Sequence, residues 1–128
     1  MQKQILIIDD EITILKLLNF ILGDEYDLVI KTHGAEALGW LNEGNYPDLI
    51  LSDMEMPYMN GETFIYFLKS SGYFRNIPVI MLSVRDDIEA IVQSFPFDVM
   101  FFKKPFDPLK LKSAVANALN VQIAGPGI

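Results

Sequence analysis

The chain contains no cysteine, one histidine and one tryptophan. Disulfides, thiolate metal centres and cysteine nucleophiles are therefore excluded, and His33 alone cannot build a multi-histidine metal site. Positive charge is scarce: 10 Lys and Arg stand against 17 Asp and Glu, a formal net charge of -7. A nucleic-acid surface carries a basic stripe, whereas the local cluster Lys103, Lys104, Lys110 and Lys112 reads as a solvated helix face beside a strand end. Long apolar runs are missing too. Hydrophobic residues make up 51% of the chain, but charges break every run short of the roughly 20 residues needed to cross a bilayer. "MQKQ" leads into four apolar residues and then an acidic cluster, which is no secretory signal. The expectation is a cytoplasmic protein with no membrane and no direct nucleic-acid partner.

What is present is short and regular. Five apolar runs, "QILII", "YDLVI", "DLILS", "IPVIML" and "DVMFF", recur along the chain. Most lack the alternation of half-exposed strands, as expected for strands covered on both faces; only the second, with Asp27 and Lys31, reads as an edge. Between them lie stripes at helical spacing: Ile14, Leu15, Leu18, Ile21 and Leu22; Leu38 and Leu41; Phe64, Phe67 and Leu68; Ile88, Ile91 and Val92. The last helix has the clearest start, with Asp107 as N-cap and Pro108 at the first helical position, followed by Leu111, Val115 and Leu119 on one face. Strand and helix thus alternate five times, which implies an α/β fold: one doubly wound parallel sheet of five strands with five helices. The reading is one domain over residues 1–120, with 121–128, rich in Gly and Pro, as a tail or the start of a linker.

Sites in open α/β sheets form beyond the carboxyl ends of the strands, where strand order reverses. Strand one ends at Asp9 and Asp10, strand three at Asp53, strand four at Ser83 and strand five at Lys104. If strands one and three are neighbours, three carboxylates meet in one pocket; two of them about 4 Å apart repel by roughly 4 kcal/mol at an effective dielectric near 20, a repulsion that a cation would resolve. Magnesium prefers oxygen ligands and is typically held by one or two carboxylates together with phosphate oxygens. Asp10 and Asp53 would ligate it directly, and Asp9 directly or through water. Lys104 and Ser83 would serve two oxygens of a phosphoryl group, and a carboxylate can accept one covalently. Each residue also has an ordinary role, as helix cap, turn hydroxyl or solvated charge; their joint placement at four strand ends is what points to a site.

These residues resemble the CheY-like receiver domain of two-component response regulators, over about Gln4 to Leu119. "IIDDE" is similar to that family's metal-binding turn, "DLILSDMEMPYMNG" to its phosphoacceptor loop, "VIMLSVRDD" to its switch-hydroxyl strand and "FFKKPF" to its Lys-Pro element. The resemblance implies a flavodoxin-like fold with strand order 2-1-3-4-5. It implies Asp53 as phosphoacceptor, with Mg2+ on Asp9, Asp10, Asp53 and the backbone carbonyl of Glu55. It also implies Ser83 and Lys104 on the phosphoryl oxygens, Phe101 as the aromatic switch beside Ser83, and a cis bond before Pro105. Such a domain takes its phosphoryl group from a sensor histidine kinase or phosphotransfer protein. It then reshapes the surface of the fourth helix, fifth strand and fifth helix toward a downstream protein or output domain, or in a phosphorylation-dependent homodimer. It phosphorylates and dephosphorylates itself rather than turning over a substrate. Glu55 and Arg85 occupy positions that in the family tune dephosphorylation, and they are expected to face one another across the site mouth. Asn60-Gly61 suits a turn with positive φ.

Two other readings compete. "DDEIT" nearly matches the nucleophile loop of haloacid-dehalogenase-type phosphatases, with Asp9 as nucleophile, although position 11 is Glu rather than Asp and Asp53 is left without a role. A flavodoxin-like cofactor binder needs a loop of exposed backbone N–H groups after strand one, whereas the loop here is acidic and repels a permanent phosphate.

Overall fold

Runs of Ile, Leu and Val with no polar face are stable only when covered on both sides, and that requirement organises the chain. The computed structural model describes residues 2–124, with side chains through residue 120. Strands β1 (Gln4–Ile8), β2 (Asp27–Lys31), β3 (Leu49–Asp53), β4 (Val79–Ser83) and β5 (Met100–Lys103) alternate with helices α1 (Ile12–Leu22), α2 (Gly34–Asn42), α3 (Gly61–Ser70), α4 (Ile88–Gln93) and α5 (Pro108–Ala124). The strands form one parallel sheet in the order β2-β1-β3-β4-β5. The expected fold class is thus observed.

Strand side chains point alternately to the two faces, and each face acquires its own core. Leu6, Ile8, Ile50 and Met81 meet Leu41 of α2, Phe64, Ile65 and Leu68 of α3, and Ile88 and Val92 of α4. On the other face Ile5, Ile7, Leu49, Leu51, Ile80 and Leu82 meet Leu18 and Leu22 of α1 and Leu111, Val115 and Leu119 of α5. Each such side chain contributes roughly 1.5–3 kcal/mol on burial, so two full layers hold the central strands rigidly. The chain leaves β1 for β2 on one side and returns to β3 on the other, which opens the crevice between the carboxyl ends of β1 and β3.

Helix starts are local chemistry. Asp107 Oδ1 accepts from the N–H groups of Leu109 and Lys110, capping α5 as expected. Asn60 caps α3, its Oδ1 accepting from Thr63 N at 2.9 Å, and His33 caps α2 through Glu36 N.

Three details correct the sequence reading. Phe67 is 44% exposed, and Ile65 takes its place in the α3 stripe. Strand β5 is a second edge, since it pairs with β4 alone. Positive φ falls on Tyr58 (φ 70), not on Asn60-Gly61; Asn60 is extended at φ -72 because it is a cap. Of residues 121–128, read as a tail or the start of a linker, 121–124 form the last turn of α5 and 125–128 lie outside the described residues.

Candidate functional site: a carboxylate pocket at the strand ends

The backbone ladder itself carries Asp9 into the crevice. Asp9 N donates to Lys31 O (3.1 Å), extending the β1–β2 pairing by one residue, and the Asp9 side chain is fully buried. Its Oδ1 accepts from Glu11 N at 2.9 Å, which folds the turn and leaves Asp10 facing outward. Asp53 is the last residue of β3 and only 3% exposed, and its Oδ1 accepts from Glu55 N at 3.3 Å. Ser83 closes β4 and Lys104 follows β5, tied together by Lys104 N donating to Ser83 O at 2.7 Å. The Lys104–Pro105 bond is cis.

Lys104 is the centre of charge. Its Nζ lies 2.9 Å from Asp9 Oδ2, 3.1 Å from Glu11 Oε1 and 3.3 Å from Asp53 Oδ1. Two of its three protons are hydrogen-bonded, to Asp9 and Glu11, and Asp53 stands at ion-pair distance. Burial pulls the Lys104 ammonium down, but the hydrogen bond to Asp9 and the charges of Asp53 and Asp9 outweigh it and hold its pKa above the ordinary lysine value. Asp53 goes the other way. Burial, then the Asp9 charge, push its carboxyl from 3.8 up to about 6, against the opposing pull of Lys104.

A raised acid pKa means that the folded state binds the proton more tightly than the unfolded chain. The stabilising contribution of protonated Asp53 is therefore complete below about pH 4 and is lost as pH rises through about 6. In metal-free buffer Asp53→Asn is expected to leave stability nearly unchanged at pH 4 and to raise it by about 2–3 kcal/mol at pH 7.5. Urea titrations at the two pH values check this; an equal effect at both contradicts it.

One carboxylate oxygen from each of Asp9, Asp10 and Asp53 can be chosen so that the three lie within 4.8 Å of one another. Three hard oxygen donors, two of them buried with a single ammonium between them, fit a divalent cation of the magnesium type. The structure thus brings together Asp9, Asp10, Asp53 and Lys104, all named from sequence. Ser83 stands beside them but is engaged elsewhere: its Oγ donates to Glu55 Oε1 at 2.7 Å and accepts from Arg85 N at 3.0 Å.

The expected facing of Glu55 and Arg85 is not observed. Arg85 turns to Asp87 in a two-pronged ion pair (2.9 and 3.0 Å), because a partner two residues away is reached at little cost in chain entropy. Glu55 accepts instead from Ser83 Oγ and from Val84 N (3.2 Å). Sequence reasoning also missed Glu11 on Lys104; the signal was a third acid directly after the pair. Phe101 is half-buried against the α2–α3–α4 layer, on the β5 residue paired with Met81, two positions before Ser83 in β4. The basic cluster disperses: Lys104 is buried, Lys103 pairs with Asp86 and Lys112 with Glu25.

Comparison with known proteins agrees with this geometry. The family model described as "Response regulator receiver domain" matches residues 5–116. The uncharacterized transcriptional regulatory protein YbdJ of Bacillus subtilis is 34% identical over 117 residues, 91% of this chain and 50% of that protein. The sensor histidine kinase TmoS of Ectopseudomonas mendocina is 28% identical over 99% of this chain, which spans 13% of it. The chain therefore covers about half, or less, of the length of these relatives. Among solved structures, the receiver domain of a signal transduction histidine kinase from Syntrophus aciditrophicus superposes with a TM-score of 0.83 at 34% identity, covering 92% of this chain and 90% of that one. The chemotaxis response regulator CheY4 of Vibrio cholerae superposes with a TM-score of 0.81 at 25% identity, covering 93% and 100%.

Proposed function

Because this chain belongs to the response regulator receiver domain family, and so is a signalling domain of two-component systems, we propose that Asp53 is its phosphoacceptor. The donor is a phosphohistidine on a sensor histidine kinase or phosphotransfer protein, and the reaction depends on Mg2+. The observation that carries this is a buried carboxylate at the end of β3, 3.3 Å from one ammonium and clustered with two further carboxylates. Asp9, Asp10, Asp53 and the Glu55 carbonyl would hold the cation, which when bound neutralises charge on the phosphoryl oxygens.

The protein's own groups do the rest. A carboxylate oxygen of Asp53 attacks phosphorus in line with the departing histidine nitrogen, the new O–P bond forms as the N–P bond breaks, and the imidazole leaves. Lys104 is already within reach of Asp53 and pairs with a phosphoryl oxygen as a point charge. Burial of Asp53 and Asp9 places that charge in a low-dielectric pocket, where it is worth more than in water. Ser83 then moves toward the phosphoryl group and Phe101 turns inward, reshaping the face of α4, β5 and α5. Downstream, that face meets an output protein or domain, or a second phosphorylated copy. We place the receiver over residues 1–120 of a cytoplasmic protein. No helix among the described residues is long and apolar enough to cross a membrane. The phosphatase reading is not favoured: Asp9 is buried under Lys104 and Glu11 N.

The test is acetyl phosphate with magnesium, read by intact mass. Wild type is expected to gain one phosphoryl group, and Asp53→Asn none. Incorporation into Asp53→Asn would overturn the assignment.

A further inference from the structure

We propose that the Glu55 carboxylate occupies, in the unphosphorylated protein, the seat that one phosphoryl oxygen takes when Asp53 is phosphorylated, so that Glu55 is an internal competitor and positioning residue for Ser83. The inference rests on the phosphoacceptor reading above. One oxygen, Glu55 Oε1, accepts from Ser83 Oγ at 2.7 Å and from Val84 N at 3.2 Å. These are the side-chain and main-chain donors at the carboxyl end of β4, next to the strand that ends in Asp53.

The protons settle who donates to whom. Arg85 N can only donate, and it donates to Ser83 Oγ at 3.0 Å. An ionised carboxylate can only accept, so the single proton of the Ser83 hydroxyl is committed to Glu55. Ser83 is fully buried and has no second proton to offer. It cannot donate to a phosphoryl oxygen until Glu55 lets go. Lys104 is engaged in a parallel way by Glu11. Glu55 itself is exposed apart from these contacts, so its side chain has solvent to swing into. Two opposing effects follow. The carboxylate holds the Ser83 and Val84 donors convergent on one point, which preorganises them, and it also fills that point with negative charge. Competition dominates, because the incoming phosphoryl group is itself an anion and its oxygen and the Glu55 carboxylate accept the same two protons.

Removing the side chain should therefore tighten binding of a phosphoryl mimic. With beryllofluoride and magnesium, Glu55→Ala is expected to bind about tenfold more tightly than wild type, equivalent to about 1.4 kcal/mol. Glu55→Gln, which keeps an accepting oxygen without the charge, should fall between them. A second reading needs neither metal nor phosphate. The Val84 amide proton, bonded to a carboxylate in wild type, should move upfield in Glu55→Ala. Equal or weaker mimic binding in Glu55→Ala, or a Val84 resonance that does not move, overturns the inference. If wild type itself binds no beryllofluoride and takes no phosphoryl group, the phosphoacceptor reading fails instead.

Discussion

Lys104→Met is expected to lower the stability of the metal-free protein by about 3–5 kcal/mol at pH 7.5, the penalty for removing one partner of a buried ion pair. Methionine keeps the length and apolar stem of lysine, so the change isolates charge. What remains is Asp9, fully buried, and Asp53, 3% exposed, with no cation between them. Their mutual repulsion already contributes to raising the Asp53 pKa with Lys104 present. The sign of the pH dependence follows. A lysine whose pKa is raised by folding contributes its full stability below its ordinary value, so the wild-type benefit is complete at pH 7.5. In the variant, acidification puts a proton on Asp53 and removes one of the two unpaired charges, so the deficit should shrink by more than half between pH 7.5 and pH 5. Magnesium should restore stability as well, because a cation on the same carboxylates substitutes for the ammonium. Lys103→Met is the control. That lysine pairs with Asp86 on the surface, and its loss should stay within about 0.5 kcal/mol. Chemical denaturation of both variants with EDTA or magnesium decides the matter; equal, small losses would mean that Lys104 does not balance the pocket.

Why the pocket was legible in sequence, while its contacts were not, follows from the range of each signal. Apolar runs report whether a strand is covered, and residues at their ends report what reaches the crevice; both are local, and both held for Asp9, Asp53 and Lys104. The number of neighbours a strand has is not local. "DVMFF" reads as central because it is apolar, yet β5 is an edge whose Phe101 and Phe102 are covered by helix layers on opposite faces. Phe67 fits the helical spacing as well as Ile65 does, and only the packing of α3 on the sheet chooses between them. Hydrogen-bond partners are the least legible. Glu55 and Arg85 have opposite charge and matching offsets from Asp53 and Ser83, but Asp87 lies closer to Arg85 along the chain and the Ser83–Val84 donors are nearer to Glu55.

The Asn60-Gly61 pair shows the same limit, and it carries the second large effect. Glycine is present at position 61 for closeness rather than for backbone angle. A Cβ built there would lie 2.7 Å from Met54 Cα, 2.8 Å from Met81 Cε and 3.0 Å from Asp53 O. The methionine tip can swing away, but the other two atoms belong to the acceptor strand and loop, pinned by Gly61 N donating to Met54 O at 2.7 Å. Gly61→Ala must therefore push the start of α3 off the loop that carries Asp53. Overpacking of this kind costs about 1–3 kcal/mol, with the upper end expected here because the clash is with backbone. The gain from a stiffer unfolded chain, about 0.4–1 kcal/mol, offsets only part of it. Displacing the attacking carboxylate should also slow phosphorylation by acetyl phosphate, by tenfold or more, since misplacement on the order of 1 Å can cost about a hundredfold. Gly39→Ala supplies the opposite sign. A Cβ there meets nothing within 4 Å on the exposed face of α2, so alanine should stabilise by about 0.5–1 kcal/mol through helix propensity and leave the reaction unchanged. If Gly61→Ala matched Gly39→Ala in both stability and rate, the close approach of α3 to the acceptor loop would not be what holds Asp53 in place.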